Sequence, residues 1–309
     1  MEYRTLGKMG LQVSALGLGV ASLGGVYGPV DEVAAIRAVH TAFDLGVNYV
    51  DTSPYYGLTR AEEMLGKALK GMARDRYYLA TKVGRYGVDE FDFSAARTRA
   101  SVEESLRRLG VDYVDVIQAH DIEFGSLGQV VEETIPALGE VQRQGKARFI
   151  GITGFPLKIF RAVLDRAEAD TILTYCHDTL WDTSAAQLLP YLEAKRMGVI
   201  NASALGMGLL SNHGPQPWHP ASEEIKTTCA RAVAHARAQG ADAATLAVQF
   251  AVAEKRFHTT LVGTASAEEI QRNVRAIESP LDAGLLEEVQ AILTPIRNQS
   301  WRVGRPENS

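Results

Sequence analysis

Cysteine is nearly absent. Cys176 and Cys229 are the only two thiols in 309 residues, which excludes a disulfide-built scaffold and fits a reducing compartment. Long apolar runs are also missing, so no stretch reads as a membrane span. The N-terminus, Met1-Glu-Tyr-Arg-Thr5, has no apolar leader core, and the expected location is cytoplasmic. Basic charge is in deficit: 32 Lys and Arg against 37 Asp and Glu give a net charge of −5. With no basic block, a nucleic-acid surface is not expected. Linkers rich in Gly and Ser and internal repeats are lacking too, so 1–309 reads as one domain. At 46% hydrophobic and 22% charged, the composition is that of an ordinary globular protein.

What the chain does contain is alternation. Short apolar runs with β character are followed by stretches with apolar residues at helical spacing, such as Val33, Ile36, Val39 and Phe43. After a hairpin expected near 3–12, eight strands are expected at 14–18, 48–51, 77–82, 114–119, 149–153, 171–175, 199–203 and 259–263. Helices are expected between them and at 267–277 and 283–293. Eight strand–helix units predict an α/β fold, a (β/α)₈ barrel with an N-terminal hairpin. The interval between the last two strands exceeds one helix. It predicts a Pro- and His-rich loop at 212–222 and two helices, 223–239 and 242–255, one of them extra and lying over the barrel mouth.

In such a barrel, chemistry sits at the C-terminal strand ends. Asp51 ends the second strand, Lys82 the third and His120 the fourth, and Tyr56 lies in the loop after Asp51. Neighbouring strands are about 5 Å apart, so these side chains can meet at one rim. A phenol with an ordinary pKa of ~10 is a poor acid or base alone. An adjacent ammonium is expected to bring it toward the working range, with Asp51 fixing Lys82 and His120 orienting the reacting oxygen. That set suits proton transfer coupled to hydride transfer, an oxidoreductase. Gly17-Leu-Gly19-Val-Ala-Ser22 approximates a dinucleotide fingerprint but lacks the third glycine and the following helix. It reads as a strand end with a mouth loop. His120, Asp121 and Glu123 lack the partners of a barrel metal site, so no metal is expected.

At these residues the chain resembles the aldo-keto reductase superfamily. The matching elements are Asp51–Gly57, Ala80–Lys82, Tyr113–His120, Phe149–Gly151, Ser203–Leu210 and Val262–Asn273, in family order. The resemblance implies that Asp51, Tyr56, Lys82 and His120 are the catalytic four. It also implies a nicotinamide dinucleotide along Gly19, Val20, Ala21, Thr153, Ser203, Leu205, Gly206, Met207, Gly263, Thr264, Glu269 and Asn273. Segments such as His120–Ser126, Tyr175–His177 and Trp218–Ser222 are similar to the L-galactose dehydrogenase branch. This implies oxidation of a free sugar at C1 to a lactone, with Tyr56 as base. Related aldoses such as L-fucose or D-arabinose stay open as substrates. So do an NADPH-dependent aldehyde or ketone reductase and a non-catalytic cofactor-binding barrel.

Three departures stand out. Thr153-Gly154 replaces the usual Ser-Asn, strand six lacks the usual Gln, and Ala202 replaces the ring-stacking Tyr. Glu269 stands where NADP-selective relatives carry a phosphate-clamping Arg, which favours NAD, with NADP possible through Arg272. Substrate contacts are expected from Tyr56, His120, Asp121, His177 and Trp301, with Asp178 and Trp218 as further candidates. A monomer or weak homodimer is expected.

Overall fold

The structure is a computed structural model and describes residues 1–309. It opens with an antiparallel hairpin, β1 (Tyr3–Thr5) and β2 (Gln12–Ser14), in which Tyr3 faces Ser14. Eight strands follow: β3 (Leu16–Gly19), β4 (Tyr49–Asp51), β5 (Tyr78–Val83), β6 (Val114–Ala119), β7 (Ala147–Gly154), β8 (Thr171–Tyr175), β9 (Gly198–Ala202) and β10 (Thr259–Gly263). All pair in parallel in chain order and β10 closes on β3, so the sheet has no free edge. The fold is a (β/α)₈ barrel. Three strands, β6, β8 and β10, match the sequence expectation residue for residue.

The ring helices are α1 (Glu32–Asp44), α2 (Arg60–Leu69), α3 (Ala95–Leu109), α4 (Leu127–Gln129) running through a π turn into α5 (Ile135–Arg143), α6 (Lys158–Leu164), α7 (Leu189–Ala194), α9 (Ala243–Ala253) and α10 (Ala267–Glu278). The remaining two are α8 (Glu223–Ala238) and α11 (Ala283–Leu293). Local chemistry sets their ends. Ser94 caps α3 by accepting from the Arg97 N–H at 3.2 Å, and Gly110 ends it at φ 68°. Helix α8 pairs with α11. Together they bury Ile225, Cys229, Val289 and Leu293 with Leu180, Trp181, Leu209 and Leu210 from the rim loops. The extra helices therefore buttress the loops after β8 and β9.

Inside the barrel, Tyr49, Ala80, Val116, Leu173, Ile200 and Leu261 form one apolar layer. The hairpin residues Leu6, Leu11 and Val13 fill its floor. Buried Arg4 ties the hairpin down, donating to the carbonyls of Val252 (2.7 Å) and Phe257 (2.8 Å). No helix is long and apolar enough to cross a membrane.

Candidate active site

The rim above β4, β5 and β6 gathers the four expected side chains. Lys82 is fully buried and Asp51 nearly so. The Lys82 ammonium donates to Asp51 Oδ1, to the Thr52 carbonyl at 2.8 Å and toward Tyr56 Oη at 3.4 Å. The second carboxylate oxygen, Asp51 Oδ2, accepts from Gln118 Nε2 at 2.8 Å. His120 meets the Tyr56 ring edge-on, with centroids 5.6 Å apart at 89°.

The loop that carries Tyr56 is pinned by close backbone approach. Gly57 adopts φ 63°, and a Cβ there would stand 2.1 Å from the Gly24 carbonyl oxygen. Only glycine fits this contact between the loop after β4 and the short 3₁₀ turn Ala21–Gly24 after β3. That turn, rather than a long helix, follows Gly17-Leu-Gly19, as the broken glycine motif implies.

Electrostatics assign the protonation states. Burial holds His120 far below the ordinary imidazole value, at about 3, so the ring is neutral. Ser53 Oγ lies 2.9 Å from its Nδ1 and itself accepts from the Tyr55 N–H at 3.1 Å. Nδ1 is the one acceptor bonded to the Ser53 hydroxyl, so the hydroxyl proton points there and the ring proton sits on Nε2 as a donor. Burial, reinforced by the Asp51 and Asp121 charges, pushes the Tyr56 phenol well above its ordinary range. This differs from the expectation that Lys82 would draw it down. The ammonium is compensated by its own carboxylate, so little of its field is left for the phenol. In the protein alone, Tyr56 is a proton donor.

Sequence reasoning missed a second charged unit beside this one. Arg85, three residues past Lys82, donates to Asp121 Oδ2 at 2.5 Å and to Tyr55 Oη at 3.1 Å. Its guanidinium lies 3.9 Å from the Tyr55 ring centroid and 4.8 Å from that of Phe124. Its Nε is buried without a partner. Asp121 Oδ2 lies 3.6 Å from His120 Nε2, and the residue is held at φ 49°. Burial opposes the Asp121 charge, but His120 and the Arg85 guanidinium together outweigh it and keep the carboxyl below its usual range.

Other expected residues are committed elsewhere. The Thr153 hydroxyl accepts from the Asp121 N–H at 2.9 Å, so it braces Asp121. His177 has Asp182 Oδ2 at 3.2 Å and Ser184 Oγ at 3.0 Å from Nδ1, and its Nε2 donates to the Phe155 carbonyl at 2.9 Å. Neither nitrogen is free for a sugar hydroxyl. Trp301 stacks on Phe155 (5.2 Å, 24°), which also meets Tyr175 at 5.1 Å, so Trp301 extends an aromatic wall from β8. Asp178 lines a separate cavity of about 350 Å³ with Leu189, Phe250 and Phe257. Trp218 is half exposed and pairs with Tyr27 at 5.9 Å, so the loops after β3 and β9 meet there.

The aldo/keto reductase family profile matches residues 15–294. The chain belongs to the aldo/keto reductase family. It is 50% identical to L-galactose dehydrogenase of Arabidopsis thaliana over 317 aligned residues, covering 100% of this chain and 99% of that protein. It is 32% identical to D-arabinose 1-dehydrogenase of Saccharomyces cerevisiae, with 95% of each chain covered. An aldo-keto reductase of Bacillus halodurans, solved in its holo form, superposes with a TM-score of 0.79 at 27% identity, covering 100% of this chain and 99% of that one.

Proteins of this family use nicotinamide cofactors, and the remaining rim fits such a group. Gly263 and Gly19 are register partners at the ends of β10 and β3. Neither has a side chain, so their backbones offer a low ledge, continued by Val20, whose N–H is bound to the Asp51 carbonyl at 3.0 Å, and by Ala21. After β9, Ser203, Gly206 and Met207 all take left-handed backbone angles (58°, 60° and 52°) around Leu205. Thr264 donates to Glu269 Oε2 at 2.5 Å. Glu269 in turn lies 3.7 Å from Arg272 in the first turns of α10, where Asn273 follows.

Proposed function

We propose that this aldo/keto reductase is an NAD-dependent sugar dehydrogenase. It oxidises the C1 hydroxyl of L-galactose, or of a related aldose such as L-fucose or D-arabinose, to the aldonolactone. The observation that carries the reading is the Lys82 ammonium lying between Asp51 and Tyr56, with a neutral His120 edge-on to the phenol. Likeness to L-galactose dehydrogenase along the whole chain supports the sugar. The Arg85–Asp121 pair beside His120 supports a substrate rich in hydroxyls, because a site built of buried polar groups rejects ligands that leave them unpaired.

In this reading His120 Nε2–H binds the C1 oxygen and aims it at Tyr56, which exchanges the hydroxyl proton. When bound, the nicotinamide supplies the hydride acceptor and, oxidised, a positive charge that favours the phenolate. Lys82 keeps a fixed donor on the phenol oxygen in either protonation state. Asp121 and Arg85 orient the ring hydroxyls. Glu269 favours NAD, since it occupies Arg272 and repels a 2′-phosphate. Residues Gly19–Ala21, Ser203–Met207 and Gly263–Asn273 would hold the dinucleotide.

The test is a panel of aldoses and simple aldehydes with NAD and NADP, followed by reduced-cofactor absorbance. Oxidation of L-galactose but not D-galactose, with NAD preferred, supports the reading. Reduction of aldehydes with NADPH alone replaces it with a reductase, and nucleotide binding without turnover replaces it with a binding barrel.

A further inference from the structure

One polar side chain in the barrel interior belongs to none of the roles assigned so far. Gln118 lies on β6 two residues before His120, fully buried, on the same inward face as Val116. Its Nε2 donates to Asp51 Oδ2, while its Oε1 is buried without a partner. An amide carbonyl stripped of water and left unbonded costs free energy rather than adding stability. A leucine or methionine of similar volume would serve the core better.

The neighbours of Gln118 are arranged around it. Strand register places Lys82, Gln118, Gly151 and Thr171 in one continuous row across β5, β6, β7 and β8. A Cβ on Gly151 would stand 3.0 Å from Gln118 Cγ and 2.2 Å from Thr171 Oγ1. Gly151 is therefore the gap that lets the amide and the hydroxyl approach one point. Thr171 Oγ1, like Gln118 Oε1, is buried without a partner, so the acceptor and a rotatable donor flank the same space.

We infer that Gln118 is a positioning residue of the oxidoreductase site. By holding Asp51 Oδ2 it fixes the plane of the carboxylate whose other oxygen aims Lys82 at Tyr56, and the absent side chain of Gly151 leaves the room that Gln118 and the Thr171 hydroxyl share. This rests on the dehydrogenase reading above and adds to it the means by which Asp51 is oriented. A carboxylate bonded only through Oδ1 can rotate and carry the ammonium with it, and displacements of ~1 Å at a reacting group cost ~100-fold in rate. Gln118 touches neither the phenol nor the imidazole, so its effect is confined to the bond-making step.

Steady-state kinetics of Gln118→Met with a sugar the wild type turns over test this. We expect kcat to fall about tenfold or more, with KM for the sugar and affinity for the dinucleotide within about twofold. The primary isotope effect from deuterium at the reacting carbon rises as the chemical step slows. Melting temperature falls modestly, because Asp51 Oδ2 loses its buried partner, and kcat is read on protein that remains folded. A folded Gln118→Met enzyme with wild-type kcat and isotope effect overturns the inference. Should Gln118→Met not fold, Thr171→Val decides. It removes only the hydroxyl, and a fall in kcat of about twofold or more at unchanged KM supports the row, whereas no change overturns it. If the wild type turns over neither aldoses nor aldehydes, the dehydrogenase reading itself has failed. If the wild type is active and both variants match it, only the role of Gln118 has failed.

Discussion

The two halves of the rim hold their functional groups by opposite means. Above β4–β6, side chains do the holding: buried Asp51 is bonded to Lys82 and Gln118, Asp121 to Arg85, and His120 to Ser53. Above β9, β10 and β3, the main chain dominates, through Gly19, Gly263 and the left-handed residues Ser203, Gly206 and Met207. The first half is a dense charge lattice in which each group fixes the next. The second is a ledge of backbone with few side chains, suited to a ligand that is long, flat and partly anionic. Proton chemistry needs fixed side-chain atoms, whereas seating a dinucleotide needs room and amide groups.

Substitutions in the charged half are expected to act on turnover or on affinity for the sugar, and those in the other half on choice of cofactor. Tyr56→Phe removes the hydroxyl that the proposed mechanism uses to exchange the substrate proton. We expect kcat/KM for aldose oxidation to fall about 10³-fold, with the circular dichroism spectrum and melting temperature unchanged. A variant retaining full turnover breaks the comparison outright. Arg85→Lys keeps the charge but loses the planar fork between Tyr55 and Phe124 and the pair of bonds to Asp121 and Tyr55. KM for the sugar is expected to rise about tenfold, with kcat less affected. On the other half, Glu269→Ala frees Arg272. The ratio of kcat/KM for NAD to that for NADP is expected to fall about tenfold, about 1.4 kcal/mol, with no change in sugar preference.

The smallest effect is expected outside both halves, at Asp178. Burial, with Glu254 nearby, pushes its carboxyl up to about 8, against about 3.9 in an unfolded chain. Between those values the folded protein holds a proton that the unfolded chain has released. Its stabilising contribution is full below pH ~4 and is lost as pH rises through 8. Asp178→Asn should therefore gain stability over the wild type at alkaline pH, by about 1–3 kcal/mol in denaturant unfolding at pH 9, and show little gain at pH 4. Kinetics should not change, because Asp178 lines the cavity between α7 and α9 and not the rim site.

The same division governs what the sequence could disclose. The gathering of Asp51, Tyr56, Lys82 and His120 at one rim was legible because Asp51, Lys82 and His120 fall at or just past strand ends, with Tyr56 in the loop after the first, and strand ends can be read from alternation. Arg85 is not, since it lies in a loop and gains meaning only from Asp121 and two rings that the fold brings to it. Gln118 was in plain view within Val114–Ala119, an amide on the inward face of an apolar strand, and inward parity two residues before His120 was the signal available. Thr153 and His177 show the converse, since both already bond within the protein. A polar residue beside a strand end is as easily consumed by a backbone partner, and no sequence pattern separates the two uses. The α8–α11 pairing was missed because both helices are ordinary amphipathic segments more than forty positions apart, and only packing joins them.

Leu6, Leu11 and Val13 stopper the barrel from below, and this dictates traffic. With the floor closed, whatever reaches the Lys82–Tyr56 site enters and leaves across the rim, and solvent has no second way in through the core.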